Sequence, residues 1–280
     1  MQKTAWIAFF SPAGTTKKSA EMISEEMAGV GFAVRLKDLS ASDGKEVREG
    51  LSSGDVLFVG SPVYANHALP GVMDFIAGLP EDSGALAAPF VTYGAVTSGV
   101  ALHEMAEALA ERGFPLAGGI KIVAEHSFSR FFKKPIAPGR PNEYDAKVIR
   151  SFARSVAKKA EKAGQEKPAL LSPLDLDYQG EKAKTAASKN SLEVLKSILP
   201  PMALNEGACI QCGNCEDACP TGNISLEDYP VLGGRCILCF NCVAACESSA
   251  LTNPALSVLE PEIRKRKTAF AEPEETRAFL

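Results

Sequence analysis

The chain has 280 residues, of which 46% are hydrophobic and 23% are charged. This length suits about two domains, and the composition excludes a disordered or collagen-like polypeptide. The 30 basic residues nearly balance the 34 acidic ones, for a formal net charge of −4. Because no long run of Lys and Arg is present to follow a phosphate backbone, we expect no nucleic-acid partner.

Two stretches without charged residues, Val56–Met73 and Ser83–Leu102, raise the question of a membrane span. Both are interrupted by Gly and Pro, whereas a spanning helix needs about 20 predominantly apolar residues in series. The first apolar run, Ala5–Phe10, is short for the core of a signal peptide. We therefore expect no membrane span and a cytoplasmic location.

The first 163 residues alternate apolar, strand-like runs with segments of helical periodicity. The predicted strands are Trp6–Phe10, Phe32–Leu39, Val56–Val59, Phe90–Tyr93 and Ile120–Ala124. The predicted helices are Ala20–Val30, Leu69–Ile76, Val100–Arg112 and Pro141–Ala163. Five strands in this alternation favour an α/β fold with a doubly wound, five-stranded parallel sheet. Ligands of such sheets bind beyond the carboxyl ends of the strands.

The composition changes after residue 163, where a segment rich in Lys, Ala, Ser and Pro begins. We predict an α/β domain at 1–163, a connector at 164–203 with one short helix near Leu192–Ile198, a small Cys-rich domain at 204–253, and a charged tail at 254–280. The basic run from Arg264 to Lys267 in the tail is interpreted as a solvated face.

All eight cysteines lie in a span that begins at Cys209 and ends at Cys246. A disulfide framework is not expected in a cytoplasmic chain of this size, so clustered thiols indicate metal. The first run is Cys209-x2-Cys212-x2-Cys215-x3-Cys219, and the second is Cys236-x2-Cys239-x2-Cys242-x3-Cys246. Each has the bacterial spacing for a [4Fe–4S] cluster, in which the fourth cysteine of a run ligates the other cluster.

This crossed arrangement predicts two ligand sets. One cluster is assigned to Cys209, Cys212, Cys215 and Cys246, and the other to Cys236, Cys239, Cys242 and Cys219. Tetrahedral zinc sites built from Cys-x2-Cys pairs are the alternative, but they leave the third cysteine of each run without a purpose. Glu247 stands where the first run has Pro220, a difference that removes no ligand.

Small and hydroxyl residues follow the first predicted strand at Ser11–Thr16 and lead into a helix. Free N–H groups at a helix N-terminus, beside a glycine, suit a phosphate, although an ordinary capped turn is an alternative. Tyr64 and Tyr93 follow the third and fourth strands. Their rings offer stacking faces for a flat heteroaromatic group, or they simply close the edge of the sheet.

These motifs carry a family resemblance over about residues 3 to 253. The N-terminal part, with Phe10–Thr16, Gly60–Tyr64 and Val91–Gly94, resembles flavodoxin-like FMN-binding domains. With the Cys runs, the whole chain resembles fusion proteins of a flavodoxin and a bacterial-type ferredoxin from anaerobic bacteria and archaea. This resemblance implies that the Cys-rich domain at 204–253 is a small α+β domain of the bacterial ferredoxin type. Ala13 and Thr15 stand where flavodoxins usually have Thr and Asn, which bears on FMN affinity.

The resemblance implies FMN and two [4Fe–4S] clusters as cofactors. It places the FMN phosphate against Ser11, Pro12, Ala13, Gly14, Thr15 and Thr16. It places the isoalloxazine between the loop of Ser61, Pro62, Val63, Tyr64 and Ala65 and the loop of Tyr93, Gly94 and Ala95. His126, beyond the fifth strand, is either a structural residue bonded to a loop or a flavin contact.

Together the motifs favour an electron-transfer iron–sulfur flavoprotein, because flavins exchange one or two electrons and clusters usually exchange one. The alternative is a flavin-dependent oxidoreductase that reduces a small acceptor and uses the clusters as an internal wire. In that case Ser127–Pro135 forms a lid or docking surface, unless this segment only packs against the last helix or the connector. A third reading is a redox sensor. The expected partner is a redox protein, such as a ferredoxin or a reductase, or a small acceptor, and a homodimer is possible.

Overall fold

The computed structural model describes residues 2–163 and 169–280. The strands are β1 Thr4–Phe9, β2 Ala33–Asp38, β3 Val56–Tyr64, β4 His67–Ala68, β5 Leu86–Tyr93, β6 Gly119–Val123, β7 Ala203–Leu204, β8 Ile224–Leu226, β9 Pro230–Leu232, β10 Leu251–Thr252 and β11 Arg277–Phe279. The helices are α1 Thr15–Gly29, α2 Lys45–Gly50, α3 Pro70–Ala77, α4 Ala101–Glu111, α5 Glu143–Lys162, α6 Glu181–Lys189, α7 Leu192–Ile198, α8 Asn214–Asp217, α9 Asn241–Ala245 and α10 Leu256–Phe270. Short 3₁₀ helices cover Ser127–Phe131, Pro173–Leu176 and Glu206–Ala208.

The main sheet has the strand order β11-β6-β5-β3-β1-β2, with β4 paired to β3. Five of these strands, β2-β1-β3-β5-β6, are parallel. Counted among themselves, they follow the flavodoxin-like order 2-1-3-4-5, whose ligand binds at the switch point beside the first strand. The predicted doubly wound α/β fold is confirmed.

Helices cover both faces of the sheet, and the alternation of side chains along the strands explains why. In β1, Ile7 and Phe9 pack against α1 and α5. The intervening Trp6 and Ala8 face α3 and α4. Each strand therefore contributes to two apolar cores, which is why the strands read as continuous apolar runs.

Some elements differ from the sequence prediction. β3 continues to Tyr64, because Val63 and Tyr64 pair with β4 in a short hairpin. Helices α2 and α6 were not predicted, since both are polar and only a few side chains on each are buried. The predicted start of the connector, at residue 164, lies outside the described residues.

Residues 254–280, assigned to a charged tail, form α10 and β11. β11 adds an antiparallel strand to the edge of β6, so the C-terminus completes the main sheet. The basic run is held in place rather than solvated throughout, because Lys267 Nζ donates to the carbonyl of Ala95 at 2.8 Å. Arg264 bonds to Glu260 on its own helix and to the carbonyl of Lys134.

The Cys-rich segment forms the expected small α+β unit. Its two-stranded sheets pair β7 with β10 and β8 with β9, and helices α8 and α9 begin two residues after equivalent cysteines, Cys212 and Cys239. In the described part of the chain, no helix combines the length and the apolar character that crossing a membrane requires.

Candidate cofactor-binding site

The loop between β1 and α1 has the features of an anion site. Gly14 adopts a left-handed φ of 81°, a conformation that favours glycine. Ser11 Oγ accepts a hydrogen bond from Lys17 N at 2.9 Å and thereby fixes the turn. Among the described residues, the N–H groups of Ala13, Thr15 and Thr16 have no hydrogen-bond acceptor. These free amides lie where a helix N-terminus attracts negative charge.

Thr16 has a structural task in addition. Its side chain is buried, and its hydroxyl lies 2.7 Å from that of Thr92 near the end of β5. This contact holds the anion loop against the end of β5, which lies beyond β3 in the sheet.

A cavity of about 450 Å³ opens beside this loop. Its size is in the range of sites for small molecules and cofactors. The predicted residues on its wall are Ala13, Thr15, Thr16, Pro62, Val63, Tyr64, Ala65, Tyr93 and Gly94. The three predicted loops therefore meet around one space at the carboxyl end of the sheet.

Five predicted residues lie outside the wall of this cavity: Ser11, Pro12, Gly14, Ser61 and Ala95. Ser61 is fully buried, and its hydroxyl accepts from Leu69 N and donates to Pro62 O, each at 2.9 Å. That side chain fixes the β3–β4 hairpin.

Two buried polar atoms on the cavity wall have no hydrogen-bond partner among the described residues, Tyr64 Oη and Asn66 Nδ2. Unsatisfied buried polar groups are uncommon and call for a partner. Burial raises the pKa of Tyr64, as does the nearby Cys239 thiol, while Ser127 and Arg130 lower it. Ser127 does not form a hydrogen bond of acceptable geometry with the Oη atom. A ring system with polar edges, such as isoalloxazine, fits this wall.

The sequence predicts an accessible ring face at Tyr93, but the structure buries most of this side chain. Only 2% of the residue is exposed. Its hydroxyl donates to the carbonyls of Pro273 and Glu275, and Lys121 Nζ lies 5.4 Å from the ring centroid. Lys121 in turn forms a buried ion pair with Glu272 at 2.8 Å. The C-terminal segment therefore holds Tyr93 in place.

His126 lies on the cavity wall. Its Nδ1 accepts a hydrogen bond from Phe128 N at 3.2 Å. Burial, together with the positive charge of Lys267, lowers the pKa of the imidazole to about 4. A neutral ring whose Nδ1 accepts carries its proton on Nε2, so His126 is both a loop anchor and a potential donor.

Sequence reasoning missed one side of this cavity. Seven further residues of the wall, Asn66, Thr92, Val96, Thr97, Glu125, Ser127 and Phe128, lie in the strand-end segments that the sequence indicates, although they were not named as ligands. The missed residues are Ala124, Asn190, Leu192, Leu195, Ile198, Leu199, Leu238, Leu259, Glu262, Ile263 and Arg266. Many belong to α7 and α10, outside the predicted flavin domain. Their signal in the sequence is the helical spacing of Leu192, Leu195 and Leu199, and of Leu259 and Ile263, which indicates an apolar face but not what it covers.

The cysteines line two further cavities. Cys209, Cys212, Cys215 and Cys246 surround one of them. Cys219, Cys236, Cys239 and Cys242 surround the other. In the described residues, no three Cys, His, Asp or Glu side chains converge on a point that a single metal ion could occupy. Each cavity brings together three cysteines of one run and the last cysteine of the other.

Hydrogen bonds to sulfur repeat in both runs. Thr221 Oγ1 lies 3.6 Å from Cys219 Sγ, and Ser248 Oγ lies 3.7 Å from Cys246 Sγ. Burial raises the pKa of Cys239 to about 11 and that of Cys242 to about 12. Because thiolates are the ligating form, binding of a metal centre here would release the protons of these buried thiols.

Comparison with known proteins supports the interpretation of the cysteines. Residues 201–247 match the family described as 4Fe-4S dicluster domain, which confirms the prediction of a ferredoxin-type iron–sulfur segment. A search of curated proteins finds no match.

Solved structures similar to part of this chain include an oxidoreductase and two flavodoxins. Rubredoxin oxygen:oxidoreductase from the anaerobe Desulfovibrio gigas has 23% identity and a TM-score of 0.47, over 59% of this chain and 38% of its own. Flavodoxin 1 from Bacillus cereus has 18% identity and a TM-score of 0.45, over 56% and 98%. A flavodoxin from the domain Archaea has 22% identity and a TM-score of 0.43, over 56% and 99%. This chain thus spans 38% of the Desulfovibrio protein, and our fold assignment depends on the strand order alone.

Proposed function

We propose that the protein is an electron-transfer iron–sulfur flavoprotein that holds FMN and two [4Fe–4S] clusters. The observation that carries this proposal is a shared wall. Leu199 and Leu238 line both the cavity at the strand ends and the cavity of Cys219, Cys236, Cys239 and Cys242. We call these two spaces the flavin cavity and the proximal cysteine cavity, and the space of Cys209, Cys212, Cys215 and Cys246 the distal cysteine cavity.

Direct contacts tie the proximal cysteine loop to the anion loop. Asn241 Nδ2 donates to the carbonyl of Pro12 at 2.7 Å. Ile237 and Cys239 belong to the same apolar core as Trp6 and Leu57 of the main sheet. A loop packed in this way keeps a fixed distance to the flavin cavity, which a redox relay requires.

When bound, the clusters supply one-electron exchange and the flavin supplies one- or two-electron exchange. The chain's own residues supply the environment. The free amides of Ala13, Thr15 and Thr16 would hold the phosphate, and Tyr64 Oη and Asn66 Nδ2 would offer polar contacts to the ring. The apolar residues of α7 and α10 exclude water from that side.

The proposal is tested by analysing anaerobically purified protein for iron, sulfide and flavin. We expect about eight iron atoms, from two four-iron clusters, and one FMN per chain. Zinc in place of iron would refute the proposal. The oxidoreductase alternative is separated by steady-state assays with nicotinamide nucleotides, quinones and oxygen, because turnover above that of free FMN favours the enzyme. A stoichiometric redox protein partner, identified by its reduction of the clusters, supports electron transfer.

A further inference from the structure

The two cysteine sites are related by an internal repeat of the sequence. Equivalent positions are 27 residues apart, as with Cys212 and Cys239. The residue after each of these cysteines has a positive φ, of 79° at Gly213 and 55° at Phe240. A bulky side chain in this conformation is a genuine outlier, so the second copy of the repeat departs from the first at a specific place.

The ring of Phe240 explains the departure, because it packs against the flavodoxin-like domain. Its centroid lies 5.3 Å from that of Phe128 and 6.4 Å from that of Phe131. Both partners belong to the short 3₁₀ segment after β6. At Gly213, the equivalent of Phe240, a Cβ atom would meet only the side chain of Leu226, at 3.8 Å.

Arg130, in the same 3₁₀ segment, adds a positive charge at this contact. One guanidinium nitrogen donates to the carbonyl of Cys239 at 2.6 Å and to Asn241 Oδ1 at 2.8 Å. Among the described residues, Arg130 forms no ion pair with a carboxylate, and no donor of this kind reaches the equivalent Cys212 carbonyl. Of the two cysteine loops, only the proximal one receives this charge, which also acts on Tyr64 on the wall of the flavin cavity.

Two effects on a bound cluster oppose each other here. A thiolate-ligated [4Fe–4S] centre becomes more negative on reduction, so burial lowers its reduction potential, whereas a nearby positive charge or hydrogen-bond donor raises it. At the position that Arg130 contacts, the proximal site is the more buried, since Cys239 is 8% exposed and its equivalent Cys212 is an exposed residue. In the next pair of equivalents the order is reversed, because the distal Cys215 is 7% exposed and Cys242 is only partly buried. Burial alone therefore does not separate the two centres, whereas the charge of Arg130 reaches only one of the two cysteine loops.

We propose that Arg130 is a positioning residue that raises the reduction potential of the cluster in the proximal cysteine cavity and leaves that of the distal cluster unchanged. This inference depends on the proposed function, because it requires both clusters. Through Arg130, the flavodoxin-like domain then raises the reduction potential of only the cluster beside the flavin cavity. A higher potential at this cluster favours electron flow from the distal cluster to the proximal one.

The test is a potentiometric titration of the anaerobic holoprotein, followed by electron paramagnetic resonance. In Arg130→Gln we expect a lower potential for one cluster and an unchanged potential for the other. Arg130→Lys, which keeps the charge, should retain most of the parent protein's reduction potential for that cluster. Lys133→Gln is the matched control, because this exposed lysine lies three positions away and its side chain forms no ion pair among the described residues. The Cys212→Ser variant assigns the distal signal.

The difference between the parent protein and Arg130→Gln should shrink as salt is added, because the guanidinium is partly exposed and its charge is screened. Equal shifts in both clusters, no shift in either, or the same shift in Lys133→Gln would overturn the inference. Arg130→Met provides a second neutral variant if the glutamine variant does not fold. Iron analysis of the parent protein separates this result from the proposed function: absent clusters defeat both, whereas two clusters with unaltered potentials defeat only the role of Arg130.

Discussion

Crossed ligation of the clusters is tested by replacing the last cysteine of each run. Cys219→Ala removes a ligand from the proximal cavity, and Cys246→Ala removes the equivalent ligand from the distal cavity. Loss of one ligand costs at least one iron and at most a whole four-iron cluster, so the iron content should fall from about eight to between about four and about seven per chain. The pair of variants is matched, because each residue ends an identically spaced run.

The two variants differ in which intact cluster remains. The distal set includes the exposed Cys212, beside Ile210, which is 64% exposed, whereas no proximal cysteine is exposed. We therefore expect a water-soluble iron chelator to remove the remaining iron quickly from Cys219→Ala and slowly from Cys246→Ala, as followed by the loss of visible absorbance. The opposite order would show that each run ligates its own cluster, and the crossed assignment would be wrong.

Three further predictions concern the groups that shape the flavin cavity and its supports. Asp145→Ala should lower the free energy of unfolding by about 3–5 kcal/mol, the usual cost of breaking a buried ion pair, because Asp145 is fully buried and pairs with Arg140. Denaturant titration measures this loss of stability, and a loss below about 1 kcal/mol would contradict the pairing. The hydrogen bond that His67 Nδ1 donates to the Glu104 carboxylate raises the pKa of His67 to about 9. The stability that this pair contributes is therefore complete below pH ~6.5 and is lost as the pH rises through about 9. His67→Gln should remove this part of the pH dependence of the unfolding free energy, and identical pH profiles for variant and parent would refute the assignment. Tyr64→Phe should stabilise the flavin-free chain by about 1 kcal/mol, because it deletes an unsatisfied hydroxyl. The same variant should bind FMN more weakly, as followed by flavin fluorescence. Unchanged FMN affinity would show that the hydroxyl does not contact the ring.

The sequence alone predicted those features that are set by residues close together in the chain. The spacing of each Cys run indicates its cluster type, because short turns of fixed length bring consecutive thiolates around one centre. Alternation of apolar runs with helical periodicity was sufficient for the α/β class, since each strand and helix must bury its own apolar side chains. The loop at Ser11–Thr16, which we propose as the anion site, could be predicted for the same reason, because it joins β1 to the helix that follows it.

Only the tertiary structure decided what closes the flavin cavity and what approaches the cysteines. β11 is three residues long, too short for a pattern, and its pairing with β6 depends on a contact across more than 150 positions. The charged run around Lys267 is typical of a solvated surface. Lys267 Nζ nevertheless donates to the carbonyl of Ala95, because α10 packs back against the sheet. Arg130 likewise contacts Cys239, a residue 109 positions away. Such contacts join residues that are far apart in the chain and leave no periodic pattern in the sequence. They can therefore be identified only from the packed tertiary structure.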